Sequence, residues 1–266
     1  MNATKATVRQ TLAIRMQRAL WSGRAQRWDE LGSVQLEKVV DAVLASCPVS
    51  PNAVVLDLGC GSGQVTLPLA RGAARVVAVD VSAEAIEMLE ERARREGISN
   101  VQAVAQPIET LELESESFDL VVSNYAFHHL RDTDKQGALA QAYRWLRPGG
   151  RLVVGDMMFG RGVNRRDREI IRSKVRALAT RGPAGWWRII KNAGRFLLRF
   201  QEKPLTASAW ETITCKAGFT EVTITPVVAE ACVMSAFKRT DLPLAEDEHL
   251  AGAQAGRDIE VLRSAA

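Results

Sequence analysis

The chain reads Val-Val-Leu-Asp-Leu-Gly-Cys-Gly-Ser-Gly over residues 54–63. Its apolar half suits a strand that is buried on both faces, as the strands of a parallel sheet are. The glycines at positions 59, 61 and 63 let the backbone turn tightly and approach a ligand that a Cβ atom would keep away. Residues 64–70 then predict the start of a helix, whose free N–H groups would face that ligand.

A second predicted strand ends in an acidic residue. Residues 75–81 read Arg-Val-Val-Ala-Val-Asp-Val, so Asp80 follows the glycine turn by about 20 residues, where a carboxylate can accept two hydrogen bonds from a ribose diol. Position 64 is Gln, whereas the dinucleotide fingerprint Gly-x-Gly-x-x-Gly needs a third glycine there. An NAD-dependent enzyme is therefore the least favoured alternative.

Together, Asp57-Leu-Gly-Cys-Gly-Ser-Gly63 and Asp80 resemble the motifs of the class I S-adenosylmethionine (SAM) dependent methyltransferases. The resemblance covers residues 25–240. It implies an enzyme with SAM as its cofactor, in which the glycine turn holds the methionine end and Asp80 holds the ribose. It also implies an α/β fold with a Rossmann-like, open, seven-stranded and mostly parallel sheet, helices on both faces and a helical cap insertion.

The rest of the chain supplies the elements that this fold needs. Ser82 is the predicted N-cap of a helix that reaches Gly97. The combination Arg147-Pro-Gly-Gly150 predicts the end of another helix, which begins near Lys135. A further helix is predicted at 206–217. The remaining strands are predicted at 100–105, 118–124, 151–156, 222–228 and 231–238.

We expect the chain to have four parts. Residues 1–50 are predicted to form N-terminal helices that partly cover the cofactor site. Residues 51–160 and 204–240 form the SAM-binding core. Residues 161–203 form a basic helical cap insertion, and residues 241–266 form a flexible acidic tail.

The residues that the resemblance assigns to the cofactor lie in the glycine turn and at the ends of the strands that follow it. They are Asp57, Gly59, Cys60, Gly61, Gly63, Asp80, Val81, Gln106, Pro107, Ile108 and Asn124. Gln106 stands where many relatives have an aspartate that meets the adenine amino group. A glutamine carbonyl can accept the same hydrogen bond, and the alternative is that Gln106 is a solvated loop residue.

The loop after the fourth strand reads Ser-Asn-Tyr-Ala-Phe-His-His-Leu over residues 123–130. It resembles the Asn-x-x-x-His-His pattern of methyltransferases that act on quinones, sterols and other small molecules. His128, His129 and Tyr125 are the candidate catalytic residues, with His128 preferred over His129. The alternative is that one histidine only forms hydrogen bonds within the loop. Methyl transfer is an in-line displacement that depends mainly on alignment and water exclusion, so a base is not obligatory.

The segment 160–204 is strongly basic, with a net charge of about +10 against +4 for the whole chain. Helices are predicted at 164–179 and 183–200, the second with Trp and Phe on one face and basic residues on another. We favour a substrate cap, followed by contact with a membrane surface through 183–200 and then by a nucleic-acid surface. Cap and membrane contact are compatible when the acceptor is a lipid.

Composition fits a globular enzyme, with 47% hydrophobic and 25% charged residues. Four scattered cysteines without a Cys/His cluster predict no metal site. The chain has no run of about 20 apolar residues and no signal-peptide pattern, which predicts a cytoplasmic protein with peripheral membrane contact. The predicted function is SAM-dependent methyl transfer to a small-molecule or lipid-like acceptor. An RNA methyltransferase and a non-catalytic SAM-binding protein are the alternatives, and a nucleic-acid partner is not favoured.

Overall fold

The computed structural model describes residues 34–160, 165–180 and 203–240. The strands in these ranges are, in chain order, Val54–Leu58 (β1), Arg75–Asp80 (β2), Val101–Ala105 (β3), Phe118–Asn124 (β4), Leu146–Met157 (β5), Thr220–Pro226 (β6) and Ala231–Phe237 (β7). They form one seven-stranded sheet with the order β3-β2-β1-β4-β5-β7-β6. β7 runs antiparallel to both of its neighbours, and the other pairs are parallel. The predicted open, mostly parallel sheet is confirmed.

Helices cover both faces of the sheet. Those that the structure describes are, in chain order, Val34–Ala45 (α1), Thr66–Ala70 (α2), Ala83–Arg95 (α3), Asp132–Trp145 (α4), Arg165–Ala179 (α5) and Ala207–Lys216 (α6). Two 3₁₀ turns lie at Ile108–Thr110 and Phe127–His129. α1, α2 and α3 pack on one face, and α4 and α6 pack on the other.

Alternation along β1 explains this two-sided packing. Val55 packs in the same cluster as Val39 and Val43 of α1. The next residue, Leu56, points to the opposite face and packs in the cluster that contains Leu139 of α4. Because both faces of the strand are covered, its sequence is almost continuously apolar, as expected for a parallel strand.

Two helix starts follow the sequence closely. The Ser82 hydroxyl accepts a hydrogen bond from the Ala85 N–H at 3.2 Å, which confirms Ser82 as an N-cap. Thr206 caps α6 in the same way, accepting from the Ala209 N–H at 3.2 Å. The helix after the glycine turn begins at Thr66, two residues later than expected, and its N-cap residue, Val65, has no polar side chain that could cap it.

The predicted start of the fifth strand was wrong. α4 ends at Trp145, and β5 begins at once with Leu146, which pairs with Phe118. The pairing register shifts before Arg151, and Arg147 donates two hydrogen bonds to the Asp119 carboxylate at 2.8 and 2.7 Å. These cross-strand contacts hold the Pro-Gly-Gly stretch within the strand, although its composition favours a turn.

Some expectations fall on parts of the chain outside the described residues. These are the N-terminal helices within 1–33, the second basic helix at 183–200 and the acidic tail at 241–266. The first basic helix, expected at 164–179, is α5. Within the described ranges, no helix is long and apolar enough to cross a membrane.

Candidate cofactor and acceptor site

A cavity opens where β1, β2 and β4 end at their carboxyl termini, the edge at which open α/β sheets bind ligands. Ten of the residues singled out from the sequence line it: Asp57, Gly59, Cys60, Gly61, Asp80, Val81, Ile108, Asn124, Tyr125 and His129. The other four, Gly63, Gln106, Pro107 and His128, are not part of its wall.

The glycines of the turn differ in what surrounds them. Gly59 has φ +77°, and a Cβ there would collide with the Cβ of Ala126. Gly63 has φ +93°, and a Cβ there would collide with Leu89 of α3. Gly61 has φ +53°, and no heavy atom of the described residues lies within 4 Å of where its Cβ would be. Gly59 and Gly63 are therefore required for packing, whereas Gly61 leaves open space on the cavity wall.

Asp80 joins the end of β2 to the glycine turn. Its Oδ2 atom accepts a hydrogen bond from the Gly61 N–H at 3.0 Å, and Oδ1 accepts one from the Ser82 N–H at 2.9 Å. Burial raises the pKa of this carboxyl, and backbone hydrogen bonds from Ser82, Gly61 and Val81 oppose the shift. The carboxylate is thus held at the edge of the cavity by the backbone that it faces.

Asp57 is a second, more deeply buried acid on the same wall. Its Oδ2 atom accepts a hydrogen bond from the Thr66 hydroxyl at 2.6 Å. Burial raises the pKa of Asp57 to about 7, the Thr66 hydrogen bond lowers it, and the nearby charge of Asp80 raises it further. Two acids on one wall give the cavity a potential that favours a cationic ligand.

Asn124, at the end of β4, carries a side-chain oxygen that can accept a hydrogen bond. Its Oδ1 atom is buried and accepts no hydrogen bond from the described part of the chain. Buried polar atoms normally have partners, so this oxygen is available to accept a hydrogen bond from a ligand in the cavity. The open space at Gly61, the two acids and this orphaned oxygen fit SAM, which carries ribose hydroxyls, an ammonium group and a sulfonium charge.

The loop after β4 separates its two histidines. His128 is buried, and its Nδ1 atom lies 2.5 Å from Oδ1 of Asp156 while its backbone N–H donates to Oδ2 at 2.8 Å. His129 lines the cavity, and its ring centroid lies 3.9 Å from that of His128. The sequence-based preference for His128 is therefore not supported by the positions of the two rings.

Tyr125 lines the cavity with a left-handed backbone, at φ +52°. Such a conformation is uncommon for a bulky residue and is held here by the hydrogen bond from the Tyr125 N–H to the Gly155 carbonyl at 2.8 Å. Burial raises the pKa of its phenol, and the charges of Glu230 and Asp156 add to that shift. Tyr125 therefore stays protonated and can donate a hydrogen bond, which argues against its predicted use as a base.

The expected adenine contact of Gln106 stays a prediction. Its side-chain amide donates to the Thr110 carbonyl at 2.7 Å, and the residue lies off the cavity wall. Ile108 and Glu109 from the same 3₁₀ turn do line the cavity. Glu109 was not predicted, although Pro107, the N-cap residue of this turn, is a residue type that often stands at the start of helical turns.

Besides Glu109, eight further wall residues were not singled out from the sequence: Leu36, Ser62, Gln64, Val65, Ser82, Ala85, Ala126 and Leu130. Ser62 lies between two glycines of the turn and lines the cavity. Leu36 belongs to α1, so the N-terminal region does contribute to the wall as far as it is described. N-terminal helices are expected from the sequence to cover the site, but the spacing of apolar residues does not identify Leu36 as a wall residue.

Comparison with known proteins identifies similar chains. A family model described as "Methyltransferase domain" matches residues 55–150. The chain is 31% identical over 186 residues to an uncharacterized methyltransferase from Anoxybacillus flavithermus, a match that covers 70% of this chain and 78% of that one. It is 36% identical over 132 residues to an uncharacterized 37.1 kDa protein in transposon TN4556 from Streptomyces fradiae, where 48% of this chain and 37% of the relative are covered. The chain thus spans well under two thirds of this second relative.

Solved structures have the same fold. The 1,6-didemethyltoxoflavin-N1-methyltransferase from Burkholderia thailandensis, with bound 1,6-didemethyltoxoflavin and S-adenosylhomocysteine (SAH), superimposes with a TM-score of 0.59 at 21% identity. The match covers 87% of this chain and 90% of that one. At this identity the similarity concerns the fold alone.

Proposed function

This chain belongs to the class I SAM-dependent methyltransferase family, and on that premise we propose that it transfers a methyl group from SAM to a small-molecule or lipid-like acceptor. The observation that carries the proposal is that one cavity is lined both by the glycine turn with its neighbouring strand ends and by the loop after β4. One part contains the acids Asp57 and Asp80 with Gly61 between them, and the other contains Tyr125 and His129. The first part suits a cationic cofactor, and the second suits the acceptor.

The residues of the first part would hold the cofactor. SAM, when bound, supplies a methyl group on a positively charged sulfonium that is open to in-line attack. Asp80 would accept hydrogen bonds from the ribose hydroxyls, and the buried Asn124 oxygen would accept one from the ammonium group. Gly61 would let the cofactor approach the backbone. These residues contribute mainly alignment and exclusion of water.

The residues of the second part would handle the acceptor. His129 is the candidate base, because it lies on the cavity wall and a histidine can take up a proton near neutral pH. Tyr125 would donate a hydrogen bond to the acceptor through its protonated phenol. His128 would support the loop through its contacts with Asp156.

The class of acceptor is inferred from the loop and from one relative. The Asn-x-x-x-His-His pattern, which begins at Asn124, supports an acceptor of the quinone or sterol type. The solved N1-methyltransferase contains 1,6-didemethyltoxoflavin, a small molecule, and has the same fold. Both observations support a small molecule rather than RNA.

Contact with an anionic membrane is a second part of the proposal. In α5, Arg165, Arg168, Arg172 and Arg176 are exposed and recur at a spacing of three or four residues, which places them on one helix face. The Gly160 N–H at the end of β5 donates to Oδ1 of Asp167 at 2.9 Å, so α5 begins at the edge of the sheet where the cavity lies. A basic face there would bring a lipid-like acceptor towards the site, for a cytoplasmic protein with peripheral membrane contact.

The catalytic proposal is tested with methyl-labelled SAM. The protein is first titrated with SAM in a calorimeter and is then incubated with labelled SAM and three separate cell fractions: lipids, small polar metabolites and RNA. We expect label in the lipid or metabolite fraction. Label confined to RNA would replace the proposal with an RNA methyltransferase, and tight SAM binding without transfer to any fraction would replace it with a non-catalytic SAM-binding protein.

The membrane proposal is tested by sedimentation with vesicles. Wild-type protein is expected to bind phosphatidylcholine vesicles that contain phosphatidylglycerol and not vesicles of phosphatidylcholine alone. The double change Arg168→Glu and Arg172→Glu should abolish that binding. The matched control, Arg94→Glu with Arg95→Glu, makes the same charge change at the other end of α3 from the cavity and should bind like the wild type. Equal loss in both variants, or equal binding to both vesicles, would refute membrane contact through α5.

A further inference from the structure

Lys135 is a lysine without exposed surface, in the first turn of α4. Its ammonium group donates to the Lys203 carbonyl at 2.7 Å, to the Leu130 carbonyl at 2.9 Å and to Oδ1 of Asp132 at 3.2 Å. A buried ammonium group is unfavourable unless such partners satisfy it. Since an apolar side chain of similar length would avoid this cost, the lysine indicates a requirement for these particular contacts.

The two carbonyls that Lys135 binds belong to distant parts of the chain. Leu130 ends the histidine loop, defined here as residues 127–130, and its side chain lines the cavity. Lys203 lies at the end of the basic segment, and it is 68 residues away from Lys135 in sequence. The ammonium group of Lys135 therefore connects the cavity wall to the point where the basic segment returns to the core.

Lys203 itself makes two more contacts with the histidine loop. Its backbone N–H donates to the His128 carbonyl at 2.6 Å, and its Nζ atom donates to the His129 carbonyl at 3.2 Å. Three consecutive carbonyls of the loop therefore accept hydrogen bonds from the two lysines. Lys203 binds those of His128 and His129, and Lys135 binds that of Leu130. The orientation of the histidine loop thus depends on Lys203, at the end of the basic segment, and on Lys135.

We propose that Lys135 is a positioning residue that joins the return of the basic segment to the histidine loop and so keeps His129 and Leu130 on the cavity wall. Lys135 is not part of the wall and acts through the carbonyls of Leu130 and Lys203. The inference rests on the proposed function in one respect, because it takes the cavity to be the SAM site. Its consequence is that a change at the basic segment alters cofactor retention.

The experiment compares two buried lysines by titration calorimetry with SAH and by thermal unfolding. Lys135→Met should weaken SAH binding about tenfold, as loss of a hydrogen-bonded positioning contact does. The matched control is Lys238→Met. Lys238 is also buried and donates to a carbonyl, that of Leu146, and to Glu116, at the opposite edge of the sheet from the cavity. The Lys238→Met variant should lose thermal stability and keep the SAH affinity of the wild type.

A double-mutant cycle separates positioning from a general loss of stability. If Lys135 acts through the histidine loop, Lys135→Met and Leu130→Ala should have clearly non-additive effects on SAH affinity, because Lys135 binds the Leu130 carbonyl and Leu130 lines the cavity. Additive effects would overturn the proposal, as would equal SAH affinity in Lys135→Met and Lys238→Met. If Lys135→Met fails to fold, Lys203→Ala carries the test, because it removes the contact to the His129 carbonyl and keeps the backbone N–H and carbonyl of position 203. It should weaken SAH binding about threefold, and unchanged affinity would overturn the proposal.

The wild-type titration distinguishes this inference from the proposed function. Absence of SAH and SAM binding by the wild type would remove the proposed function itself. Wild-type binding together with unchanged affinity in the Lys135 and Lys203 variants would leave the function in place and remove only the positioning role.

Discussion

His128 and Asp156 lie with Nδ1 and Oδ1 2.5 Å apart, and both side chains are buried behind the wall of the cavity. The Asp156 carboxylate also accepts the backbone N–H groups of His128 and Met157, at 2.8 and 2.7 Å. One carboxylate at the end of β5 therefore fixes the ring and the backbone of the loop after β4. This contact leaves His129, the next residue, as the histidine that faces the cavity.

The first prediction concerns this carboxylate. Asp156→Ala removes the partner of the buried His128 ring and leaves two N–H groups without their acceptor. We expect the free energy of unfolding to fall by about 3 kcal/mol, the cost typical of removing one partner of a buried pair. Urea denaturation measures the loss. A decrease below about 1 kcal/mol, the size of an ordinary neutral hydrogen bond, would contradict the structural role given to the pair.

The second prediction separates two glycines of the turn. Gly59→Ala should be strongly destabilised, because the new Cβ collides with Ala126 and the backbone has φ +77°. Gly61→Ala should lose only about 1–2 kcal/mol, since the strain at φ +53° is not accompanied by a collision. The new methyl group of Gly61→Ala points into open space on the cavity wall. We therefore expect the free energy of SAH binding to decrease by more than the free energy of unfolding. Thermal unfolding and calorimetry on both variants check this, and equal destabilisation would contradict it.

The third prediction compares two carboxylates that each accept a backbone N–H. Asp80→Ala should abolish SAH binding, because Asp80 lines the cavity and is the proposed ribose acceptor. Asp119→Ala is the control: Asp119 accepts the Val54 N–H at 2.8 Å and pairs with Arg147, at the opposite end of β1. It should be destabilised and keep the SAH affinity of the wild type. Unchanged calorimetric titration for Asp80→Ala would refute the site assignment.

The fourth prediction is a pH dependence that arises from Asp57. Burial raises its pKa from 3.8 to about 7. The folded state therefore keeps a proton that the unfolded state has lost at intermediate pH, so the contribution of Asp57 to stability is present below about pH 4 and is lost as pH rises to 7. Cationic SAM favours the ionised carboxylate. The affinity of the protein for SAM should therefore increase as pH rises, whereas the stability decreases.

We expect the dissociation constant of SAM to decrease on the order of tenfold between about pH 6 and pH 8. This corresponds to a decrease of about one unit in the pKa of Asp57 when SAM binds. Asp57→Asn should flatten both the stability profile and the affinity profile over this interval. Calorimetry and urea denaturation across the same buffers measure them. Persistence of the pH dependence in Asp57→Asn would assign it to another group.

The fifth prediction distinguishes the two wall residues of the acceptor side. Tyr125→Phe should lower the rate of label transfer only several-fold, and it should leave the pH profile unchanged because the phenol stays protonated. His129→Asn should lower the rate by about 10²-fold or more if a base is used, and it should remove the acidic limb of the profile. Label transfer to the accepting fraction is the measurement. A shifted pH profile in Tyr125→Phe would assign the proton to the phenol.

The fold was largely predictable because its signals are local. The apolar run at 54–58, the alternate glycines and the acid at position 80 each act through neighbouring dihedral angles or through strand burial, and together they carry the resemblance that implied a mostly parallel, seven-stranded sheet. Ser82 could be recognised as an N-cap because its partner, Ala85, is three residues away. The error at Arg147–Gly150 has the opposite origin, since pairing with β4 overrides the local preference for a turn.

The site was predictable only to the level of its elements. The glycine turn, Asp80 and the loop after β4 were expected at one edge of the sheet, because parallel strands share that edge. The difference between His128 and His129 could not be predicted, since two adjacent residues of one type have the same local pattern. It is set by Asp156, which is 28 residues from His128 in sequence.

The sequence by itself determined the family, the open and mostly parallel seven-stranded sheet and the position of the glycine turn, because backbone conformation and burial period are short-range properties that each segment carries. Only the tertiary structure decided which histidine lines the cavity, that the Asp57 carboxyl is buried beside Asp80, and that Lys135 binds the Lys203 carbonyl. These depend on the packing of segments that are distant in the chain, and a buried charge acquires its partner and its pKa only when that packing has removed water around it.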